Sequence, residues 1–236
     1  NEVVDQLPLT SAQHLVKNFR IGSTIDDAQA AFNLNNLSVE EWTFYFQRLL
    51  LLVDPSLSAD SAQKITKSVV NWISPASQNS EEDSYYTKLP LPYRPPHHPM
   101  ASPSEFRLVK GVSASLYLRL LPYITALPEA TLINVNTAFA PVLQCLSPSL
   151  SVESVRTIEN YRRQVSFKSL EQFLNMDLVR NNAVPSSAIT VNSSYFIIHT
   201  QVEKEEQQLT LITLMHRLFQ KNKMSIQILW QTKGGI

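Results

Sequence analysis

Glycine is scarce in this chain: Gly22, Gly111, Gly234 and Gly235 are the only four in 236 residues. Loops that cradle phosphates need several glycines at close spacing, so the GxGxxG and GxxxxGK[ST] nucleotide-binding classes are excluded. Cysteine is scarcer still. Cys145 stands alone, which rules out an intrachain disulfide and leaves the redox compartment open. Net charge is also missing, because twenty acids offset twenty bases. Charged residues make up 17% of the chain, below the roughly 25% of an average soluble protein. Such a chain has no long-range field to steer it toward nucleic acid or an anionic membrane. Apolar runs are short: the longest, LLLLV at 49–53, is far below the ~18 residues of a membrane span. The chain opens at Asn1 without an initiator Met, which is compatible with a signal or anchor ahead of this point.

What is present suffices for a core, since 44% of the residues are hydrophobic. Fourteen prolines, several beside serines, mark many short elements and ordered loops. The alternation of Phe19, Ile21 and Ser23 predicts a short strand. Ser38 with Glu41 reads as a capping box for a helix burying Trp42, Tyr45, Phe46, Leu49 and Leu52. Ser58 and Asp60 open a second helix, with Ala62, Ile65, Val69 and Trp72 on one side and Pro75 at its end. Residues 76–100 carry no periodicity and read as a long loop, a length that is usually functional, clamped or disordered. Ser102-Pro103-Ser104-Glu105 opens a short helix that Gly111 closes. Further helical pieces are predicted at 116–121 and 169–175. The runs ITVNSSYFIIHTQVE, QLTLITLMHRLF and SIQILWQ, separated by EKEEQ and QKNKM, read as an antiparallel meander. In the last run Ile226, Ile228 and Trp230 should face the core, with Gln227 and Gln231 outward. No parallel pairing is expected.

The middle of the chain says one thing twice. FNLNN begins at Phe32 and INVN at Ile133, 101 residues later; PSLS begins at Pro55 and again at Pro148, 93 residues later. The difference is a trim of eight residues between two otherwise matching units. Each unit is a turn of asparagines, a helix, a PSLS cap and a second helix. Asparagine suits such turns because its side chain bonds nearby backbone and tolerates left-handed φ.

Candidate chemistry is sparse. His97 and His98 are adjacent, so their rings point different ways, and they read as part of a solvated proline-rich loop. Cys145 sits among Leu143 and Leu146 as a buried, inert thiol. No GxSxG turn marks a nucleophile, and a hydrolase would need two carboxylates held across a cleft. Glu81, Glu82 and Asp83 are the candidate metal ligands: three carboxylates flanked by Ser and Asn oxygens offer the hard ligands that Ca²⁺ takes. The doubled turn and helix pair also resembles a helix-hairpin-helix unit, which makes a DNA-binding module the alternative function. Its hairpins, VDPSLS and LSPSLS, lack the exposed glycine amides and the cations that phosphate gripping requires.

Taken in order, DDAQAAFNLNNLS at 26–38, NWI at 71–73, EDSYY at 82–86, PYRPPHHPMASPSEFRLVKGV at 92–112 and LPEATLINVNTA at 127–138 resemble the type II secretion system protein K family. The resemblance implies an α+β fold: a pilin-like antiparallel sheet with a large all-helical insertion holding two helix-hairpin-helix-like units. It divides the chain into 1–32 (first part of the pilin-like domain), 33–184 (helical insertion) and 185–236 (the sheet), with an N-terminal anchor helix mostly absent. It further implies a non-enzymatic minor pseudopilin, the periplasmic domain of a bacterial inner-membrane protein. Such a subunit caps the pseudopilus tip with minor pseudopilins I and J and promotes assembly of the fibre for export of folded proteins. Members of the family bind calcium near the loop after the NWI helix. Here Ser74 and Ala76 stand where acids are usual, while Glu82 and Asp83 keep the later pair.

Overall fold

The structure, a computed structural model, describes residues 9–16, 19–75, 81–205, 207–220 and 223–234. The turn expected at QKNKM includes residues 221 and 222, and part of the loop expected at 76–100 is residues 76–80; both stretches lie outside the described residues. The chain enters through an antiparallel hairpin of β1 (Leu9–Val16) and β2 (Phe19–Asp27). The Asp27 carboxylate then caps a single 3-10 turn by accepting from the Gln29 N–H, which turns the backbone off the sheet.

Two helical units follow. The first runs through β3 (Phe32–Asn33), α1 (Glu40–Val53), α2 (Ala59–Ile73), α3 (Asp83–Thr87), α4 (Ala114–Leu120) and β4 (Ile124–Thr125). The second runs through β5 (Ile133–Asn134), α5 (Ala140–Cys145), α6 (Val152–Gln164), α7 (Leu170–Leu174), α8 (Asp177–Arg180) and β6 (Ile189–Thr190). The chain then returns to the sheet as β7 (Tyr195–Lys204), β8 (Gln207–Gln220) and β9 (Lys223–Lys233), completing an antiparallel order β1-β2-β7-β8-β9.

The absence of parallel pairing expected from the sequence does not hold: β3 pairs parallel with β4, and β5 with β6. Each ladder is two residues long and joins the entry of a unit to its exit. Parallel strands need a long crossover, and each helical unit is that crossover, so the pattern could not be read from neighbouring residues.

The asparagines explain why entry and exit meet. In the first unit the Asn35 amide donates to the Met100 and Leu127 carbonyls, at 2.9 and 2.7 Å, and its oxygen accepts from Met100 N–H. In the second, Asn136 donates to Phe167 and Val191 carbonyls and accepts from Phe167 N–H. The preceding asparagine in each copy, Asn33 or Asn134, accepts the N–H two residues on. That local bond closes an Asx turn, and the turn aims the next amide at remote backbone. Matching serines then cap the second helix of each copy: Ser58 accepts from Ser61 N–H and Ser151 from Ser154 N–H. The eight-residue trim falls in the first helix, 14 residues in α1 and 6 in α5.

A shared apolar core fills both units. Phe32 packs against Trp42 and Phe46, and Phe46 meets Phe106 edge-on; Tyr161, Phe167 and Phe173 form the counterpart stack. The expected capping box at Ser38 and Glu41 is replaced. Val39 is the N-cap, Ser38 donates back to the Asn35 carbonyl, and Glu41 accepts from the Tyr45 hydroxyl. The 3-10 turn at Leu34–Ser38 runs straight into α1 and claims the serine for its own closure. The loop after α2 is partly helical, through α3.

The last strand also departs from its expected facing. Leu214 pairs with Trp230 but Met215 pairs with Ile228, so Leu229 is an extra residue. A bulge of one residue reverses the alternation. Trp230 therefore shares the face of Leu214, whereas Ile226 and Ile228 share the opposite face with Met215 and are 58% and 60% exposed. Gln231 donates to Thr213.

Asn35→Ala removes three bonds to buried backbone in one step, and is expected to cost about 3 kcal/mol in urea unfolding. Asn136→Ala should produce a loss of the same order, as the counterpart position.

Candidate functional site

Three places were candidates for function: the acidic stretch after α2, the two hairpins, and the junction between helical units and sheet. In the first, the carboxylates point to different partners. Glu82 accepts from the Ser68 hydroxyl at 2.7 Å. Asp83 begins α3 and lies 3.1 Å from His97 Nε2. Glu81 is exposed, and its backbone carbonyl accepts from Ser84 Oγ. Among the described residues no three His, Cys, Asp or Glu side chains gather closely enough to hold a metal ion.

His97 differs from its expected solvated setting. It is 7% exposed, adopts φ 51, and bonds the Asn71 carbonyl through Nδ1. Left-handed backbone is several-fold enriched for histidine, and here it accompanies a buried ring. His98 remains exposed. Trp72, Tyr86 and Tyr93 form an aromatic cluster, and burial raises the Tyr86 hydroxyl to about 12. Cys145 is fully buried as expected, and burial pushes its thiol up to about 12.

At the hairpins the cations are already engaged. The sequence placed almost no Lys or Arg near them, yet the fold brings Arg119 from α4 to Asp54 at 2.9 Å. Hydrogen bonding from Ser56 first, and Arg119 after it, holds the Asp54 carboxyl below its usual range. Arg48 donates from Nε to the Cys145 carbonyl and from a terminal nitrogen to the Leu146 carbonyl. These groups close the turns between helices and are not presented to a phosphate chain.

The junction was not singled out from sequence. Asp27, at the end of β2, accepts from Asn134, Thr137, Ser193 and the Gln29 N–H. One carboxylate thus ties β2, the second asparagine turn and the lead-in to β7. Gln29 repeats the connection, donating to the Leu132 carbonyl and accepting from Ser194 and Tyr195 N–H groups. The DDAQ run carried the signal: two acids ending an alternating strand before a turn. Beside the junction lies a cleft of about 630 Å³ between Ile197, Leu214 and Trp230 of the sheet and Leu121, Pro122 and Phe139 of the helical units. Its mouth holds an Asp26–His199 pair at 3.3 Å. Its walls are mainly apolar, with Asp26, Asp27, Arg162, Arg163 and His199 also lining it.

The far face of the sheet carries a different feature. Phe219, Met224, Ile226 and Ile228 share one face of β8 and β9 and are all exposed. Arg217 lies over both Phe196 and Phe219 on that face. An apolar row beside an open strand edge is a surface suited to a partner.

This architecture, an antiparallel sheet carrying a duplicated helical unit, is shared with known secretion-system subunits. Two family models, both described as type II secretion system protein K, match residues 30–129 and 133–192; these spans enclose the two asparagine-led units. Type II secretion system protein K of Pectobacterium carotovorum is 32% identical over 91% of this chain and 70% of its own length. That of Klebsiella pneumoniae is 30% identical over 91% and 72%. A chain of the crystal structure of the GspK–GspI–GspJ complex from the enterotoxigenic Escherichia coli type 2 secretion system superposes with a TM-score of 0.78, at 24% identity, covering 96% of this chain and 84% of that one. The chain belongs to the type II secretion system protein K family.

The Asp27 knot sets a pH dependence. Burial outweighs its hydrogen bonds and raises this carboxyl above the ordinary 3.8. Between that value and the raised one, the folded chain keeps a proton that the unfolded chain has released. Stability contributed by this group therefore falls as pH climbs through the window and is level above it. Asp27→Asn should remove that slope, and at neutral pH should cost about 2 kcal/mol by turning an NH₂ toward a donor; urea unfolding across pH 3–7 reads both.

Proposed function

We propose that this chain is a minor pseudopilin that caps the pseudopilus tip in company with minor pseudopilins I and J. In this reading the five-stranded sheet is the pilin-like portion, which packs laterally within the fibre. The two helical units sit above it as bulk that blocks further subunits. The protein works through its surfaces and performs no chemistry, and it faces the periplasm from an inner-membrane anchor. By promoting assembly of the fibre it serves export of folded proteins across the outer membrane.

The observation that carries this reading is the combination of rigid bulk with an open sheet edge. Two units clamped by asparagines add a solid body to one side of the sheet, while among the described residues β9 leaves its outer edge unpaired and the row Met224, Ile226 and Ile228 exposed. A freestanding domain gains nothing from such a row; an assembly subunit buries it. The fold match to a chain from a K–I–J complex supports the choice of partners.

Light-scattering mass of this domain mixed with the soluble domains of minor pseudopilins I and J is expected to show one complex containing all three. Ile228→Asp should weaken that complex by about tenfold, roughly 1.4 kcal/mol, with its melting temperature unchanged. Three separate masses at micromolar concentration would refute the reading.

A further inference from the structure

We infer that the cleft between the sheet and the helical units binds an extended peptide segment of another protein, one that carries apolar side chains and a carboxylate. This goes beyond the assembly reading, which uses the opposite face of the sheet.

The cleft has the dimensions and walls of a binding site. At about 630 Å³ it falls in the range of ligand sites, which are mostly apolar with a few placed polar groups and gather where structural bodies meet. One wall is sheet, through Ile197, Leu214 and Trp230; the other is helical, through Pro122 and Phe139. Phe139 is 43% exposed and Trp230 half-buried, so apolar surface stands open to water here. The Asp27 carboxylate fastens the two bodies together. Closing the cleft by shifting one wall onto the other would break those buried bonds.

The polar groups lining it divide into those already satisfied and those left over. Asp27 accepts from four donors. Arg162 donates to the Val135 and Ala138 carbonyls and lies 3.5 Å from Glu159, and Asp26 pairs with His199. Arg163 is different: it is exposed, forms no ion pair or hydrogen bond among the described residues, and stands next to the like charge of Arg162. Thr125 is only 5% exposed, yet its hydroxyl has no hydrogen-bond partner among the described residues. That hydroxyl is not sealed off, and the open space beside it is the cleft. A carboxylate answers Arg163, and a peptide N–H or carbonyl answers a hydroxyl that can donate or accept.

The charges also choose between ligands. Asp26 lies on the sheet side and Arg163 on the helical side, so the cleft is bipolar. A simple anionic amphiphile such as a fatty acid gains at one side and meets a carboxylate at the other. A peptide with one acid in a neutral backbone places its charge at Arg163 alone.

Trp42 and Trp72 are buried in the first unit while Trp230 lines the cleft, so quenching of indole fluorescence by acrylamide reports on the site. The probe is a panel of acetylated, amidated hexapeptides made of Leu, Phe, Pro and one Glu. Saturable protection of Trp230 is expected, with NMR amide shifts at Thr125, Phe139 and Arg163. Replacing Glu by Gln in the tightest peptide should weaken binding by about fivefold, and Thr125→Val by a similar factor. In Arg163→Glu the order should reverse, a Lys peptide binding more tightly than the Glu one. Failure of every peptide at millimolar concentration, equal affinity for Glu, Gln and Lys peptides, unchanged affinity in Thr125→Val, shifts confined to residues away from the cleft, or tighter binding of dodecanoate than of any peptide would each overturn the proposal.

Discussion

Two side-chain amides hold this molecule in shape. Asn35 and Asn136 each bond two carbonyls and one N–H belonging to segments 31 to 92 residues away. The parallel ladders that join the same entry and exit are only two residues long, so they add little to the closure. An amide has both donors and an acceptor in one plane, so a single residue can pair with an incoming and an outgoing strand at once. The Asn35 bonds are buried and those of Asn136 partly so, which makes them costly to leave unmade. The parallel bridges of β3 with β4 and β5 with β6 are consequences of that clamp.

From the clamp the rest follows in order. Fixing entry to exit makes each unit a compact lobe with short termini, which allows two lobes to stand in series between β2 and β7. The Asp27 carboxylate then fixes the second lobe to the sheet, since Asn134 of the same turn donates to it. What results is a rigid body on an antiparallel sheet, with its apolar interior sealed and an apolar row left open along β8 and β9. On the proposed function rigidity matters, because every loosely held group would have to be ordered upon assembly.

Much of this was legible in the sequence, for identifiable reasons. Asparagine turns, serine caps at Ser58, Ser102 and Ser151, and the strands of the terminal meander are signalled within a few residues, and the structure places them so. The duplication was legible because local chemistry repeats. Signals that depend on remote partners were not. Ser38 was read as a cap, but its hydroxyl serves the preceding turn. The facing of Ile226 and Ile228 failed because one bulged residue, Leu229, leaves no mark on an alternating pattern. His97 looked solvated because its partners, Asn71 and Asp83, are 26 and 14 residues distant. Of the Asp27 junction only the DDAQ run showed locally, its partners lying up to 166 residues away.

The claim that the asparagine side chains lock both lobes is tested most directly by native-state hydrogen exchange at four backbone amides. Met100, Leu127, Thr131 and Phe167 each donate their N–H to an asparagine side-chain oxygen and to no helix or strand ladder. If the amides are the locks, these protons exchange only when the whole molecule unfolds, with an opening free energy equal to that of the α1 and α2 cores. Exchange at the fast rate of ordinary loop amides, while the helices stay protected, would contradict the account.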